Sequence, residues 1–122
     1  MTQKPSPSPR DLLPLSPQQF HILLSLAGQD RHGYGIILDV ASRTGDELRM
    51  GTGTLYTAIG RLVTLGLIED TGVEDGRRRH YHLTRLGRSV LEAEAARLEA
   101  LLRLAQTEGI GSPARKPQRS RP

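Results

Sequence analysis

Gly53-Thr54-Leu55-Tyr56-Thr57-Ala58-Ile59-Gly60-Arg61-Leu62, followed closely by Gly66-Leu67-Ile68, reads as a helix that stops at a glycine and feeds into a β-strand. Leu55, Ile59, Leu62 and Val63 recur at helical spacing and form one stripe fit for burial. Tyr56, Thr57, Gly60, Arg61 and Thr64 fall on the opposite face, and none of them is acidic. Short polar side chains beside one tyrosine and one arginine suit base edges and phosphates better than a core. Thr52 or Thr54 is expected to cap this helix, and a hydroxyl at a helix N-terminus can also meet a phosphate. Downstream, Asp75-Gly76-Arg77-Arg78-Arg79-His80-Tyr81-His82-Leu83 supplies a favoured turn pair and then a basic strand. Residues 67–73 and 77–83 therefore read as a hairpin. An exposed polar helix face followed by a basic hairpin predicts a winged helix-turn-helix, with DNA as its partner.

Working outward, Ser16, Pro17 and Gln19 make a helix start: an N-cap, a proline at the first helical position and a capping-box partner. Leu15 and Phe20 flank it at staple spacing, and Phe20, Leu23, Leu24 and Ala27 form the expected buried stripe, with Gly28 as the stop. A second helix is expected over residues 33–43, with Tyr34, Ile37, Leu38 and Ala41 on one face and Tyr34 assigned to the core. Residues 47–50 are read as a short strand. The last helix starts after Thr84 and runs to about Thr107. In it Leu91, Ala95, Leu98, Leu102 and Ala105 alternate by four and three, as a coiled-coil seam does, while Glu92, Glu94, Arg97, Glu99 and Arg103 take the other faces. One small domain cannot cover a stripe of that length, so these five residues are expected to form a dimerisation element. The expected fold is mainly α with a small β-hairpin wing. Its parts are a disordered Ser/Pro-rich arm (1–14), a winged helix-turn-helix DNA-binding domain (15–83), a C-terminal dimerisation helix (84–108) and a disordered basic tail (109–122).

The chain has 122 residues and no cysteine, which leaves room for one domain and excludes disulfides and cysteine-ligated zinc. No apolar run approaches membrane-spanning length, and Pro and Ser stand at the N-terminus where a secretory signal needs an apolar stretch. A cytoplasmic protein is expected. The net charge of +4 is unevenly placed. Residues 109–122 hold Arg115, Lys116, Arg119 and Arg121 and no acid, whereas residues 15–108 hold 11 Arg against 12 acids. Within that middle, residues 49–88 carry seven Arg against Glu69, Asp70, Glu74 and Asp75, a local basic region that a dimer presents twice.

Several motifs in consecutive order carry a resemblance. They are Ile22-Leu23-Leu24-Ser25-Leu26 with His32-Gly33-Tyr34, and Gly53-Thr54-Leu55-Tyr56 with Arg61-Leu62 and Gly66-Leu67-Ile68. The run Gly76-Arg77-Arg78-Arg79-His80-Tyr81-His82-Leu83-Thr84 with Gly87 completes them. Over residues 15–104 the chain resembles the PadR family of bacterial transcriptional regulators. The resemblance implies a homodimeric winged-helix repressor on a palindromic operator, of the short subfamily with a single C-terminal helix. Some short members resemble multidrug sensors that stack flat ligands on tryptophan. This chain has no Trp and one Phe, so no such ligand is expected and any small-molecule effector stays unassigned.

The expected DNA-binding residues are Thr52, Thr54, Tyr56, Thr57, Arg61, Arg77, Arg78 and Arg79. A run such as 77–79 is more often a solvated face, but its place after a glycine turn favours phosphate contact. Strand alternation puts Arg79, Tyr81 and Leu83 on one side, so Tyr81 and Leu83 are expected in the core and Arg79 is partly structural. Tyr56 is either a groove contact or a ring packed under the wing. His80 and His82 share a face, yet no third ligand follows at fixed spacing, so no metal site is expected. No cofactor motif and no nucleophile–base constellation is visible, so an enzyme is not expected. The alternative from another class is a winged-helix protein-interaction module that does not bind DNA by itself.

Overall fold

The structure, a computed structural model, describes residues 8–76 and 78–111, without the side chains of Glu74 and Asp75. Helix α1 (Pro17–Ser25) opens on the expected capping box: Ser16 Oγ accepts from Gln19 N–H (3.1 Å) and Gln19 Oε1 accepts from Ser16 N–H (3.0 Å). Its buried side is broader than the expected stripe. Ile22, Leu23, Ser25 and Leu26 are inaccessible while Phe20, Leu24 and Ala27 are only partly covered, because α1 packs against three other helices. The helix also stops at Ser25, short of Gly28.

A two-residue strand, β1 (Arg31–His32), leads into α2 (Gly33–Arg43), whose cap is an imidazole: His32 Nδ1 accepts from Gly35 N–H at 2.9 Å. The segment offers two apolar stripes offset by one residue, and packing selects Gly33, Ile36, Val40 and Ala41. Tyr34 and Leu38 are left 50% and 52% exposed, so the assignment of Tyr34 to the core is corrected. Asp39 joins the ends of this unit, lying 2.7 Å from Arg43 and 3.5 Å from Arg31. Residues 47–50 form no strand. Thr44 Oγ1 takes the Leu48 N–H (3.0 Å), Met50 drops into the core, and the strand that pairs with the other edge of the hairpin is β1 instead.

Helix α3 (Thr52–Thr64) buries Leu55, Ile59 and Leu62 as read. Its N-cap is Gly51, with no side-chain acceptor, so neither Thr52 nor Thr54 caps it; both lie inside the first turn. Strands β2 (Ile68–Asp75) and β3 (Arg78–Leu83) form the hairpin, and β1 pairs with the other edge of β3, giving the antiparallel order β1-β3-β2. Arg31 stands opposite Tyr81 and His32 opposite His80. The β2–β3 register shifts between Asp70 and Glu74, where Asp70 Oδ1 accepts from Gly72 N–H and Thr71 Oγ1 from Val73 N–H. Tyr81 and Leu83 are buried, as alternation requires.

Helix α4 (Arg85–Thr107) starts from Thr84, whose hydroxyl accepts from Gly87 N–H (2.9 Å) and donates to the Gly66 carbonyl (2.7 Å). It ends where Ile110 N–H returns to the Ala105 carbonyl (3.0 Å) across Gly109, at φ +79. Two features of α4 differ from the sequence reading. Leu91 is buried in the core of its own domain, and Glu94, expected on a polar face, is 2% exposed. Glu94 accepts from Leu15 N–H (3.0 Å) and from Arg97 through both carboxylate oxygens (2.6 and 2.9 Å). That anchor belongs to a folded leader. Ser8 N–H binds Asp11 Oδ2 (3.0 Å), Pro9–Leu12 form a 3-10 turn against α4, and Leu12 and Leu13 pack on the core. Residues 8–14, read from the sequence as part of a disordered arm, thus take part in the fold.

Candidate nucleic-acid interface

Three elements meet on one surface. The outer face of α3 centres on Gly53, Thr57, Gly60 and Thr64, all exposed, with Leu55, Ile59 and Leu62 directly behind them. Thr54 and Arg61 lie along one flank and share a shallow groove with Ser16, Gln18 and Gln19 of the α1 start. The residues of that α1 start were not among the expected site; only the folded packing brings them there. Thr52 and Tyr56 lie along the other flank. Because Gly51 offers no side-chain oxygen, the first N–H groups of α3 have no such acceptor at the positive end of its dipole.

Tyr56 has its position set by a glycine. The chain at Gly33 is buried beneath the Tyr56 hydroxyl, and a Cβ there would collide with that oxygen and crowd Leu55. The ring is nonetheless 49% exposed. Its tip thus rests on α2, not under the wing, and one side of the ring faces outward.

The wing arginines divide. Arg77 lies outside the described residues. Arg79 Nη1 is 2.6 Å from Asp70 Oδ2 across the hairpin, which makes the structural part of its expected role concrete. Hydrogen bonds from the Gly72 N–H, then from Arg79, hold the Asp70 carboxyl below its ordinary range, and desolvation opposes them. Arg78 is exposed, with its guanidinium carbon 5.6 Å from the centre of the Tyr34 ring and Nη1 3.3 Å from His32 Nε2. Among the described side chains no carboxylate pairs with it. The two strand histidines are engaged separately: His80 meets the His32 ring edge-on at 5.5 Å, and His82 Nδ1 lies 2.7 Å from Asp30.

The expected interface on α4 splits in a similar way. Leu91 is part of the domain core, whereas Ala95, Leu98 and Leu102 are exposed and Ala105 is half-buried. Leu101, Leu104 and Ile110 are exposed beside them. Among the described residues no helix is long and apolar enough to cross a membrane.

Comparison with known proteins agrees with this geometry. The family described as "Transcriptional regulator PadR-like family" matches residues 22–93, which run from α1 through the wing into α4. A 37.1 kDa protein of transposon TN4556 from Streptomyces fradiae is 39% identical over 77 residues, covering 63% of this chain; the chain spans only 21% of that relative's length. A transcriptional regulator from Clostridium thermocellum superposes with a TM-score of 0.66 at 26% identity, over 74% of this chain and 87% of the other. A PadR family transcription regulator from Clostridium difficile does so with a TM-score of 0.62 at 25% identity, over 76% and 98%.

Proposed function

This chain belongs to the PadR-like family of transcriptional regulators, and from that premise we propose that it is a sequence-specific double-stranded DNA-binding regulator, a repressor acting as a homodimer on a palindromic operator. One observation carries the reading. The outer face of α3 has no acidic residue and joins, through the first turn of α2, an arginine of the wing that no described carboxylate neutralises. In this reading α3 enters the major groove, where Thr57 and Arg61 address base edges and the uncapped first turn with Thr52 and Thr54 meets a phosphate. Tyr56 lies against the groove wall. Arg77 and Arg78 contact the backbone, and Arg79 contributes mainly by fixing the wing through Asp70.

Pairing through Ala95, Leu98, Leu102 and Ala105 sets two such faces side by side, which is what a palindrome requires. The protein works in the cytoplasm as a binding protein, without a catalytic step or a cofactor. The test is a gel shift of the purified chain on the DNA upstream of its own gene, against a random duplex of equal length and across a salt series. A shift of the upstream fragment that survives excess random duplex, and weakens linearly in log salt, is the expected result. Equal or absent binding to both duplexes would overturn the sequence-specific reading. Absent binding leaves the protein-interaction module, which the uncovered apolar side of α4 would serve.

A further inference from the structure

We propose that Tyr34 is a positioning residue of the DNA interface: its ring holds the Arg78 guanidinium, still fully charged, in the place where the wing meets a backbone phosphate. The proposal rests on the DNA-binding reading above and extends it to a residue on α2.

The neighbouring arginines show two ways of ordering a long side chain. Arg79 is fixed by the Asp70 carboxylate at 2.6 Å, which also neutralises it toward a polyanion. Arg78 is instead fixed by a ring face, 5.6 Å from centroid to guanidinium carbon. A ring orients the cation through its quadrupole and takes none of its N–H donors, so the edge of the fork stays available to phosphate oxygens. The opposite contact has the same consequence. His32 Nδ1 accepts the Gly35 N–H, so the neutral imidazole carries its own proton on Nε2, the atom 3.3 Å from Arg78 Nη1. Donor faces donor there, and His32 bounds the arginine without occupying it.

Tyr34 does little for the core. It is 50% exposed and lies outside the buried cluster, while its neighbours Gly33 and Ile36 are buried. Its place in the chain has a further meaning. Gly33 seats Tyr56 of α3, and the next residue seats Arg78 of β3. A single turn of α2 therefore sets the spacing between the groove-entering helix and the wing. Ordering the arginine before DNA arrives removes part of the rotamer entropy that a flexible side chain loses on binding.

The experiment uses the full chain, a random-sequence duplex and a salt series, with Tyr34→Phe, Tyr34→Ala, Arg78→Ala and the Tyr34→Ala/Arg78→Ala double variant. Tyr34→Ala is expected to weaken binding by about two- to five-fold, the scale of a surface cation–π contact. It should also flatten the log–log salt slope toward that of Arg78→Ala, which loses about 0.9 for each phosphate contact. Tyr34→Phe should behave as the parent, and Tyr34→Ala should add nothing to Arg78→Ala. A DNA-free readout accompanies these: the Arg78 δ-proton resonances, shielded by the ring in the parent and in Tyr34→Phe, should move downfield in Tyr34→Ala while the melting temperature holds. A parent that binds duplex and a Tyr34→Ala variant with the same affinity and slope would overturn the positioning role and leave the DNA reading standing. So would an additive loss in the double variant, or a loss in Tyr34→Phe that makes the hydroxyl itself a contact. A parent that binds no duplex removes both.

Discussion

At Gly87 an added Cβ would land on the carbonyl oxygen of Leu67 and press on Leu83, so α4 can lie against the start of β2 only with no side chain there. The obstacle is backbone, which cannot swing aside as a long side chain does. Gly87→Ala is therefore expected to cost about 1–3 kcal/mol as overpacking, visible as a lower urea midpoint with the slope unchanged. A variant as stable as the parent would mean that α4 sits farther from β2. Glu94 is the second residue whose role only the fold exposes. Its spacing reads as a polar face, yet the folded leader covers it and supplies the Leu15 N–H. Nothing in a Ser/Pro-rich stretch announces that contact, because it joins residues 79 positions apart. Hydrogen bonds from Arg97 hold the Glu94 carboxyl below its ordinary value of 4.5; burial opposes this and the Leu15 N–H supports it. A carboxyl depressed on folding gives stability that is full above the ordinary value and is lost as pH falls through the folded one. Glu94→Gln should therefore lower the urea midpoint at pH 7 and reduce its fall below about pH 4.5, near the ordinary glutamate range. Parallel midpoint-against-pH curves for the two proteins would assign the acid sensitivity to other groups.

The helices were legible because their starts and stripes are local. Ser16 with Gln19, Thr84 before α4 and the Leu55/Ile59/Leu62 stripe all act within a few residues of themselves. Strand β1 was illegible for the opposite reason. Two residues carry no periodicity, and Arg31–His32 is a strand only because the free edge of β3 lies alongside. The rotation of α2 was ambiguous in the same sense: its sequence supports two stripes, and the seat of Tyr56 on Gly33 decides between them. In α3, Gly60 stands out. It occupies the middle of a 13-residue helix on the exposed face, and nothing lies within 4 Å of a Cβ built there. Packing gives no reason for it, and a mid-helix glycine costs roughly 0.5–1 kcal/mol relative to alanine. In the proposed reading α3 enters a DNA groove, where the missing methyl permits closer approach. Gly60→Ala should accordingly raise stability by roughly 0.5–1 kcal/mol and weaken operator binding. The two effects have opposite signs and are measured separately, by denaturant titration and by gel shift. Greater stability with unchanged operator affinity would mean that this face does not approach DNA closely.

As a whole the molecule has a closed end and an open one. From Ser8 to Glu94 one core joins leader, helices and wing, and its members include Leu15, Leu23, Leu62, Leu83 and Leu91. Beyond Glu94 the helix runs clear of the core: Leu98, Leu101, Leu102 and Leu104 are 41–64% exposed, and none belongs to the core cluster. A helix with that much apolar surface in water is a poor end state, since each leucine fully buried is worth about 1.5–3 kcal/mol. The three–four–three spacing of Ala95, Leu98, Leu102 and Ala105 fits the same helix of a second copy, with two leucines at its centre and a small residue at either end. The sequence seam counted Leu91 as well, but the fold draws that residue inward, so the proposed pairing surface starts one turn later. This division makes the consequence of Leu98→Glu specific. In a dimer the change places an uncompensated carboxylate in the seam and should cost several kcal/mol of association. In the separated protomer position 98 faces solvent and the core is untouched, so the domain should remain folded. Sedimentation is expected to give a folded monomer with the parent's melting profile for residues of the core, and operator affinity should fall because the two half-site contacts are no longer linked. An unfolded chain would mean that the domain needs its partner to fold. A variant that stays fully dimeric would place the interface on another surface, away from the open half of α4.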